Sequence, residues 1–218
     1  MGYNVAIDGP AGAGKSTIAK LVAKEKGYIY VDTGAMYRGM AIHFLDKGIR
    51  AKETDKIISA LKDAEVTIRY EEGLQQVYLN GRNITDRLRE EAVGKMASLT
   101  SAIPQVRQKL LELQKGLART QDVIMDGRDI GTCVLPDADV KIYLTASVET
   151  RAKRRYDELT EKGVACDLNE IARDIKERDE RDSTREIAPL KQAEDAVLVD
   201  SSHMTIEEVV AAIVKLCR

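Results

Sequence analysis

The sequence contains no tryptophan and only one phenylalanine among its 218 residues. Single-stranded nucleic acid is usually bound on aromatic stacking surfaces, so this scarcity argues against that class of binding protein. The charges nearly cancel, because 34 Lys and Arg residues stand against 36 Asp and Glu residues, for a net charge of -2. A chain without a strong positive field attracts polyanions weakly. We therefore expect no nucleic-acid partner.

The three cysteines, Cys133, Cys166 and Cys217, are far apart and form no C-x-x-C or Cys/His pair. An odd and scattered set argues against a disulfide framework and against a zinc site. No apolar run is long enough to span a bilayer, and the N-terminal residues resemble a strand rather than a basic, apolar leader. We expect a cytoplasmic protein with free thiols and no membrane partner.

One phosphate-binding motif is complete. Residues 9–16 match G-x-x-x-x-G-K-[ST], with a strand-like run before them and a helical pattern after them. Glycines let the backbone turn so that its N–H groups, with those of the helix N-terminus, point at phosphate oxygens. Lys15 would reach the β- and γ-phosphates of a nucleoside triphosphate, and Ser16 would bind Mg²⁺. The alternative is a chance glycine-rich turn.

Two other nucleotide-binding motifs are missing. The chain has no Asn-Lys-x-Asp sequence, which reads guanine in switch GTPases, and no apolar run that ends in Asp-Glu, as in many ATPase motors. Both absences argue against those two classes.

Five β-rich runs, separated by helical patterns, predict a parallel sheet covered by helices. They span residues 3–8, 28–32, 122–126, 139–145 and 196–200. Several end in Asp. Because the carboxyl ends of parallel strands face the ligand crevice, these acids are candidates for function, although each is also a common turn or N-cap residue.

The helices carry their own signals. Residues 55–63 form a helical pattern, Pro104 is a good first-turn residue, and Thr205 with Glu208 forms a capping box before a C-terminal apolar stripe.

Residues 66–70 and 76–81 alternate like an antiparallel hairpin and interrupt the α/β order. This insert is suited to closing over a substrate, or it is a surface hairpin without a function. We predict an α/β P-loop NTPase fold: a five-stranded parallel sheet flanked by helices, a small antiparallel acceptor-binding insert and a short helical lid. The predicted boundaries are 1–62, 101–147 and 186–218 for the core, 63–100 for the insert, and 148–185 for the lid and the following helix.

Two strand ends continue into polar segments. Residues 32–38 place a carboxylate, a hydroxyl, a phenol and a guanidinium at a strand-to-helix junction, which predicts an acceptor pocket, and Arg38 could clamp a second phosphate. An ordinary N-capped helix would explain Asp32 or Thr33 alone. Residues 126–132 place two acids around Arg128 with two glycines, which suits an oxyanion; the alternative is a simple turn.

Two charged helical segments follow. In the second, the apolar stripe of Ile171 and Ile175 continues onto Arg178, Asp182 and Arg185. These charges either project into the crevice or belong to a solvated ladder of ion pairs. The first segment carries four basic residues and resembles a mobile flap over a phosphoryl group, or a solvated helix surface: Arg151, Lys153, Arg154 and Arg155.

Residues 9–17, 32–38, 126–132 and 176–182, in this order and with the hairpin among them, resemble the bacterial cytidylate kinases nearly end to end. The resemblance implies ATP-dependent phosphorylation of CMP and dCMP to the diphosphates, with ADP and Mg²⁺, by a protein that we expect to be monomeric. The ATP-binding residues would be Gly9, Pro10, Ala11, Gly12, Ala13, Gly14, Lys15, Ser16 and Thr17.

The resemblance also assigns acceptor residues by position. Ser98, Arg107 and Asp129 would read the cytosine, and Arg178 with Asp182 would hold the ribose. Thr33 stands where the family often has Ser, and it keeps the hydroxyl. The residues predicted to bind the acceptor are Thr33, Tyr37, Arg38, Ser98, Arg107, Arg128, Asp129, Arg178, Asp182 and Arg185.

Four cations are the predicted catalytic residues: Lys15, Arg128, Arg154 and Arg185. Arg38, Arg128 and Arg185 would neutralise the acceptor phosphate, and Arg154 in the lid would approach the transferred group. Asp32 and Asp126 would hold Mg²⁺ through water, beside Ser16. Two alternatives remain open: a kinase of another small acceptor such as UMP or shikimate, and a non-catalytic nucleotide sensor.

Overall fold

A computed structural model describes residues 2–218 of the chain. The strands are β1 (Asn4–Asp8), β2 (Ile29–Asp32), β3 (Val66–Glu71), β4 (Leu74–Leu79), β5 (Arg82–Asn83), β6 (Val123–Gly127), β7 (Val140–Thr145) and β8 (Val197–Asp200). The helices are α1 (Lys15–Lys26), α2 (Thr33–Asp46), α3 (Thr54–Ala60), α4 (Glu91–Thr100), α5 (Pro104–Ala118), α6 (Val148–Glu161), α7 (Leu168–Thr184) and α8 (Ile206–Val214).

The described chain divides into two compact units. The first unit holds the residues up to Tyr30 together with Gln121–Arg218, and the second unit is Val31–Thr120. The functional division into a core, an insert at 63–100 and a lid at 148–185 stays a prediction.

The five predicted core strands form one sheet in the order β2-β6-β1-β7-β8. β1 pairs in parallel with both β6 and β7, and β7 pairs in parallel with β8. The apolar core of this unit joins the sheet to α1 and α8 through Val5, Ile7, Ile18, Ile142 and Ile213. The fold class is therefore confirmed: β1 runs through the middle of the sheet and delivers the P-loop at its carboxyl end.

Local signals set the helix ends. Pro104 is the first residue of α5, as predicted, and the Thr205 and Glu208 side chains form the predicted capping box of α8. The Ser147 hydroxyl accepts the N–H of Thr150 at the start of α6. α1 ends at Gly27, whose φ of 71° is the left-handed conformation that glycine adopts easily.

The second unit contains the predicted hairpin and one unpredicted strand. β3 and β4 pair antiparallel from Val66 opposite Leu79 to Glu71 opposite Leu74, and the two-residue β5 adds a third strand. The sheet lies against α2, whose Met36, Met40 and Phe44 are fully buried. Two residues are too few to show the alternation that predicts a strand.

Within residues 2–218, no helix is both long enough and apolar enough to cross a bilayer. All three cysteines are free thiols, with Cys133 exposed and Cys217 buried.

Candidate active site

The P-loop starts directly after Asp8, and three of its glycines have positive φ: 149° at Gly9, 77° at Gly12 and 88° at Gly14. Gly14 is the N-cap of α1, and no side chain caps that helix end. The first N–H groups of a helix have no intrahelical acceptor, and the helix dipole favours an anion there. The loop and the start of α1 thus have the form of a phosphate cradle.

Lys15 lies buried in this loop, with only 6% of its surface exposed. Its Nζ donates to the carbonyl oxygen of Pro10 at 2.8 Å. Burial, and then the Arg128 guanidinium, hold the pKa of the Lys15 ammonium well below its usual value, while Asp126 and Asp8 oppose that shift. The nearby carboxylates do not fully compensate the Lys15 charge, so the site favours binding of an anion next to Lys15.

Ser16 and Asp126 meet at the predicted metal position. The Ser16 Oγ donates to Asp126 Oδ2 at 2.9 Å, and the Tyr30 hydroxyl donates to Asp126 Oδ1 at 2.9 Å. A hydroxyl beside a carboxylate is an oxygen donor set that suits Mg²⁺, which usually takes one or two protein oxygens and keeps phosphates and waters as its other ligands. Among residues 2–218 there is no cluster of three or more His, Cys, Asp or Glu that could hold a metal ion. The residues present fit a magnesium ion of this phosphate-bound kind.

The segment after β6 is tied to α7 by two ion pairs. The Arg128 Nε donates to Asp182 Oδ2 at 2.9 Å, and the Arg185 Nη2 lies 3.3 Å from Asp129 Oδ1. The side chains of Asp182, Arg185 and Asp129 are each at most 7% exposed. The charged end of α7 therefore packs against the segment that follows β6 and is not a fully solvated ladder, and the Arg178 charge also lowers the pKa of Lys15.

The solvated-ladder interpretation fits other charges on these helices. Arg173 and Glu170 are mostly exposed, with their charged atoms 4.0 Å apart. On α6, the exposed Lys153 pairs with Asp157 and Arg155 pairs with Glu158. These are surface pairs of small energetic weight.

Arg154 and Arg151 differ from their exposed neighbours. Arg154 Nη2 donates to the Ser201 carbonyl oxygen at 2.8 Å, and a Cβ on Gly14 would lie 4.0 Å from Arg154 Nη1, so this arginine stands beside the P-loop. Arg151 is buried and donates to the carbonyls of Ala146 and Ala11 and to Asp179 Oδ2. It ties the P-loop to α7.

The sequence places Arg151 among four basic residues of one segment, and that pattern alone does not mark Arg151 as a contact of the P-loop. Its place on the helix face of Val148 and Ala152 is the signal that could have marked it as buried.

In the second unit, the N-cap interpretation is correct for Asp32. Its Oδ1 accepts the N–H of Ala35, and its Oδ2 accepts from Arg38 Nη2 at 2.9 Å. Thr33, which follows it, is 3% exposed. Both Asp32 oxygens are thus engaged with protein donors.

The predicted base-reading residues of this unit lie on α4 and α5. The Arg107 guanidinium lies 5.7 Å from the Tyr37 ring centre, and its Nη1 donates to the Ser101 carbonyl. The Ser98 Oγ is buried and has no hydrogen-bond partner within the described part of the chain. A buried hydroxyl without a partner is costly, so a bound ligand is a natural partner for it.

A parallel sheet with a P-loop at the end of its central strand defines a P-loop nucleotide-binding protein. Solved structures with this fold include an uncharacterised protein from Eubacterium ventriosum, at a TM-score of 0.53 and 13% identity over 98% of this chain and 96% of that one. Shikimate kinase from Acinetobacter baumannii, solved with shikimate, has a TM-score of 0.50 and 13% identity, over 99% of this chain and 93% of that one. These likenesses show the fold.

The chain belongs to the cytidylate kinase family, whose model matches residues 5–218. The cytidylate kinase of Caldicellulosiruptor saccharolyticus is 51% identical over 98% of this chain and 94% of that protein. The cytidylate kinase of Lactobacillus johnsonii is 48% identical over 97% of this chain and 92% of that protein.

We predict opposite stability effects for two glycine substitutions. A Cβ on Gly9 would lie 1.9 Å from the Leu144 carbonyl oxygen, so Gly9→Ala should lower the free energy of unfolding by about 1–3 kcal/mol. Gly116, inside α5, has nothing within 4 Å of its Cβ position, and Gly116→Ala should raise stability by about 0.5–1 kcal/mol. Urea unfolding of both variants checks this, and a neutral Gly9→Ala would contradict it.

Proposed function

We propose that this chain transfers the γ-phosphoryl group of ATP to CMP and dCMP, forming CDP or dCDP and ADP. The observation that carries the proposal is membership of the cytidylate kinase family over residues 5–218. The P-loop geometry and the site cations support it.

The donor would lie on the P-loop. Backbone N–H groups of residues 9–17 and the start of α1 would bind the phosphates, and Lys15 would neutralise charge on the β- and γ-groups. The low pKa of Lys15 supports this role, because a polyphosphate supplies the negative charge that the buried ammonium lacks. Arg154, beside Gly14, would approach the transferred group.

Ser16 would hold Mg²⁺ directly and Asp126 through water, with Asp32 as a second candidate. When bound, this ion neutralises charge on the β- and γ-phosphates.

The acceptor needs no base from the protein. A phosphate monoester has its second pKa near 6, so the attacking oxygen of CMP is already ionised at neutral pH. The protein has only to align the two substrates and to neutralise their phosphate charges.

The acceptor contacts are proposed for each unit separately. In the first unit, Arg128 and Arg185 would face the acceptor phosphate, Asp129 would face the cytosine, and Arg178 with Asp182 would face the ribose. In the second unit, Arg38 would bind the phosphate, Ser98 and Arg107 the cytosine, and Thr33 and Tyr37 would line the pocket.

A cytoplasmic location, a monomeric state and the lack of nucleic-acid or membrane partners stay predictions from the sequence.

The acceptor is tested by measuring ADP release with CMP, dCMP, UMP, AMP and shikimate in turn. We expect turnover with CMP and dCMP and much lower rates with the other three. A preference for UMP or shikimate would overturn the proposed acceptor. ATP binding without ADP release for any acceptor would favour a nucleotide sensor.

We predict that Lys15→Ala lowers turnover by about 10²-fold or more, because it removes a preorganised positive charge from the phosphates. Lys153→Ala is the matched control, since Lys153 is 72% exposed and pairs only with Asp157. Its turnover should match that of the wild type. Near-normal turnover of a folded Lys15→Ala protein would remove the proposed role of Lys15.

We predict that Arg178→Ala raises the KM for CMP and lowers kcat, because a residue proposed to hold the ribose of the acceptor is lost. Arg173→Ala, five residues earlier and 65% exposed, is the control on the same helix. Steady-state kinetics with CMP and dCMP measure both variants. Identical kinetics for the two variants would contradict a role of Arg178 in acceptor binding and would favour the alternative that it belongs to a solvated ladder of ion pairs.

A further inference from the structure

Asp8 is a buried acid at the end of β1 that the roles above leave unused. It is 5% exposed. Its Oδ1 accepts the N–H of Ile130 at 2.8 Å, and its Oδ2 accepts the N–H of Gly131 at 2.7 Å. Each carboxylate oxygen thus holds one of two consecutive backbone donors.

The segment that Asp8 holds carries two predicted acceptor-binding residues. Arg128 and Asp129 directly precede Ile130, and their side chains are bound by Asp182 and Arg185 of the α7 end. Those ion pairs fix the side chains. Asp8 fixes the backbone that follows them.

On its other side, Asp8 is joined directly to the P-loop. Gly9 comes next, and a Cβ there would lie 1.9 Å from the Leu144 carbonyl oxygen. The Gly9 backbone therefore packs so closely on β7 that there is no room for a side chain. At Gly131 a Cβ would lie 3.2 Å from the Lys141 Cδ and 3.5 Å from Asp8 Oδ2. The contact between β1 and the 128–131 segment therefore has little freedom.

The ionised Asp8 carboxylate that makes this contact is unfavourably buried. Burial, opposed by the two N–H bonds and followed by the Asp129 charge, raises the pKa of Asp8 from 3.8 to about 6. The folded chain therefore takes up a proton more readily than the unfolded chain, and above about pH 6 the ionised Asp8 lowers stability relative to a neutral group. Near neutral pH the two amides thus hold a buried charge at the expense of stability relative to the protonated acid, which suggests a role beyond stability.

We propose that Asp8 is a positioning residue for phosphoryl transfer, whose carboxylate holds the Arg128–Asp129 segment against the start of the P-loop so that Arg128 and Lys15 keep a fixed separation. This inference rests on the proposed function. The Arg128 charge helps to lower the pKa of Lys15, and the backbone hydrogen bonds of Asp8 tie the segment after Arg128 to the strand that leads into the P-loop. An error of about 1 Å in such an arrangement costs about 10²-fold in rate.

The test is Asp8→Asn. Asparagine keeps the shape but has one acceptor oxygen, so its NH₂ group would face one of the two backbone N–H donors. We expect kcat to fall by about 10-fold or more and the KM for CMP to rise, with the KM for ATP changed less than about twofold. The melting temperature near neutral pH should change little, because the loss of the buried charge offsets the cost of the one backbone N–H that loses its acceptor.

A merely structural Asp8 would give the reverse pattern, a lower melting temperature with intact kinetics in the folded fraction. Asp139→Asn is the matched control, since Asp139 Oδ2 accepts the N–H of Asn4 at 2.7 Å at the opposite end of β1. It should leave both KM values and kcat unchanged. Turnover and CMP KM of Asp8→Asn within about twofold of the wild type would overturn the proposal.

Amide hydrogen exchange gives a second readout. Whichever of the Ile130 and Gly131 amides loses its acceptor should exchange at least about 10-fold faster in Asp8→Asn than in the wild type, while those of β6 stay protected. If Asp8→Asn does not fold, Gly131→Ala takes its place, because the added Cβ would lie 3.2 Å from the Lys141 side chain and 3.5 Å from Asp8 Oδ2. We expect a lower kcat together with faster exchange of the Ile130 and Gly131 amides, and faster exchange with wild-type kinetics would overturn the proposal. A wild-type protein without CMP turnover would instead refute the proposed function, and amide exchange would still test the Asp8 contacts.

Discussion

The first unit depends on a buried positive charge that its own acids balance only in part. Lys15 is buried, and both burial and the arginines at 128 and 178 oppose its ionisation. Asp126 and Asp8 favour ionisation but do not restore the usual pKa. Such an arrangement costs stability in the free protein, and an arriving polyphosphate would relieve it. The site is thus built for its ligand rather than for the stability of the fold.

The acids at the strand ends illustrate how differently one residue type is used. Asp32 is a helix N-cap, and Asp200 is exposed and bonds only to Ser202 among its described contacts. Asp126 takes hydroxyl donors from Ser16 and Tyr30. Asp8 takes two backbone donors from another loop. The sequence marks all four as strand-end acids, and their partners decide which of them serve the site.

The sequence predicted what depends on local spacing. The five core strands, the first turn of α5 at Pro104 and the capping box at Thr205 all follow from residues within a few positions of one another. The P-loop is equally local, because its glycines and Lys15 lie in one short segment. For the same reason, membership of the family could be inferred before the fold was known.

Contacts between distant segments could not be predicted in this way. Asp8 and Ile130 are 122 positions apart, and Arg128 and Asp182 are 54 apart. Nothing in either segment alone states which donor meets which acceptor. The order β6-β1-β7 brings them together, because β1 and β6 end side by side with Asp8 opposite Gly127. Helical period could place Arg178, Asp182 and Arg185 on one face, but only packing could show that this face meets the segment after β6.

The engagement of the acids bears on how two anions can react. Free carboxylates beside two phosphates would add repulsion along the reaction path, yet this unit needs acids to keep its cations aligned. The conflict is resolved by giving the acids donors of their own: Asp182 is held by Arg128, Asp129 by Arg185, and Asp8 by two amides. Amide donors carry no net charge, so Asp8 orients its loop without consuming the charge of an arginine. Asp8 therefore takes no arginine away from the proposed phosphate contacts, whereas Arg128 and Arg185 would each serve an acid and a phosphate at once, which is why a carboxylate bonded to backbone suits this position better than another ion pair.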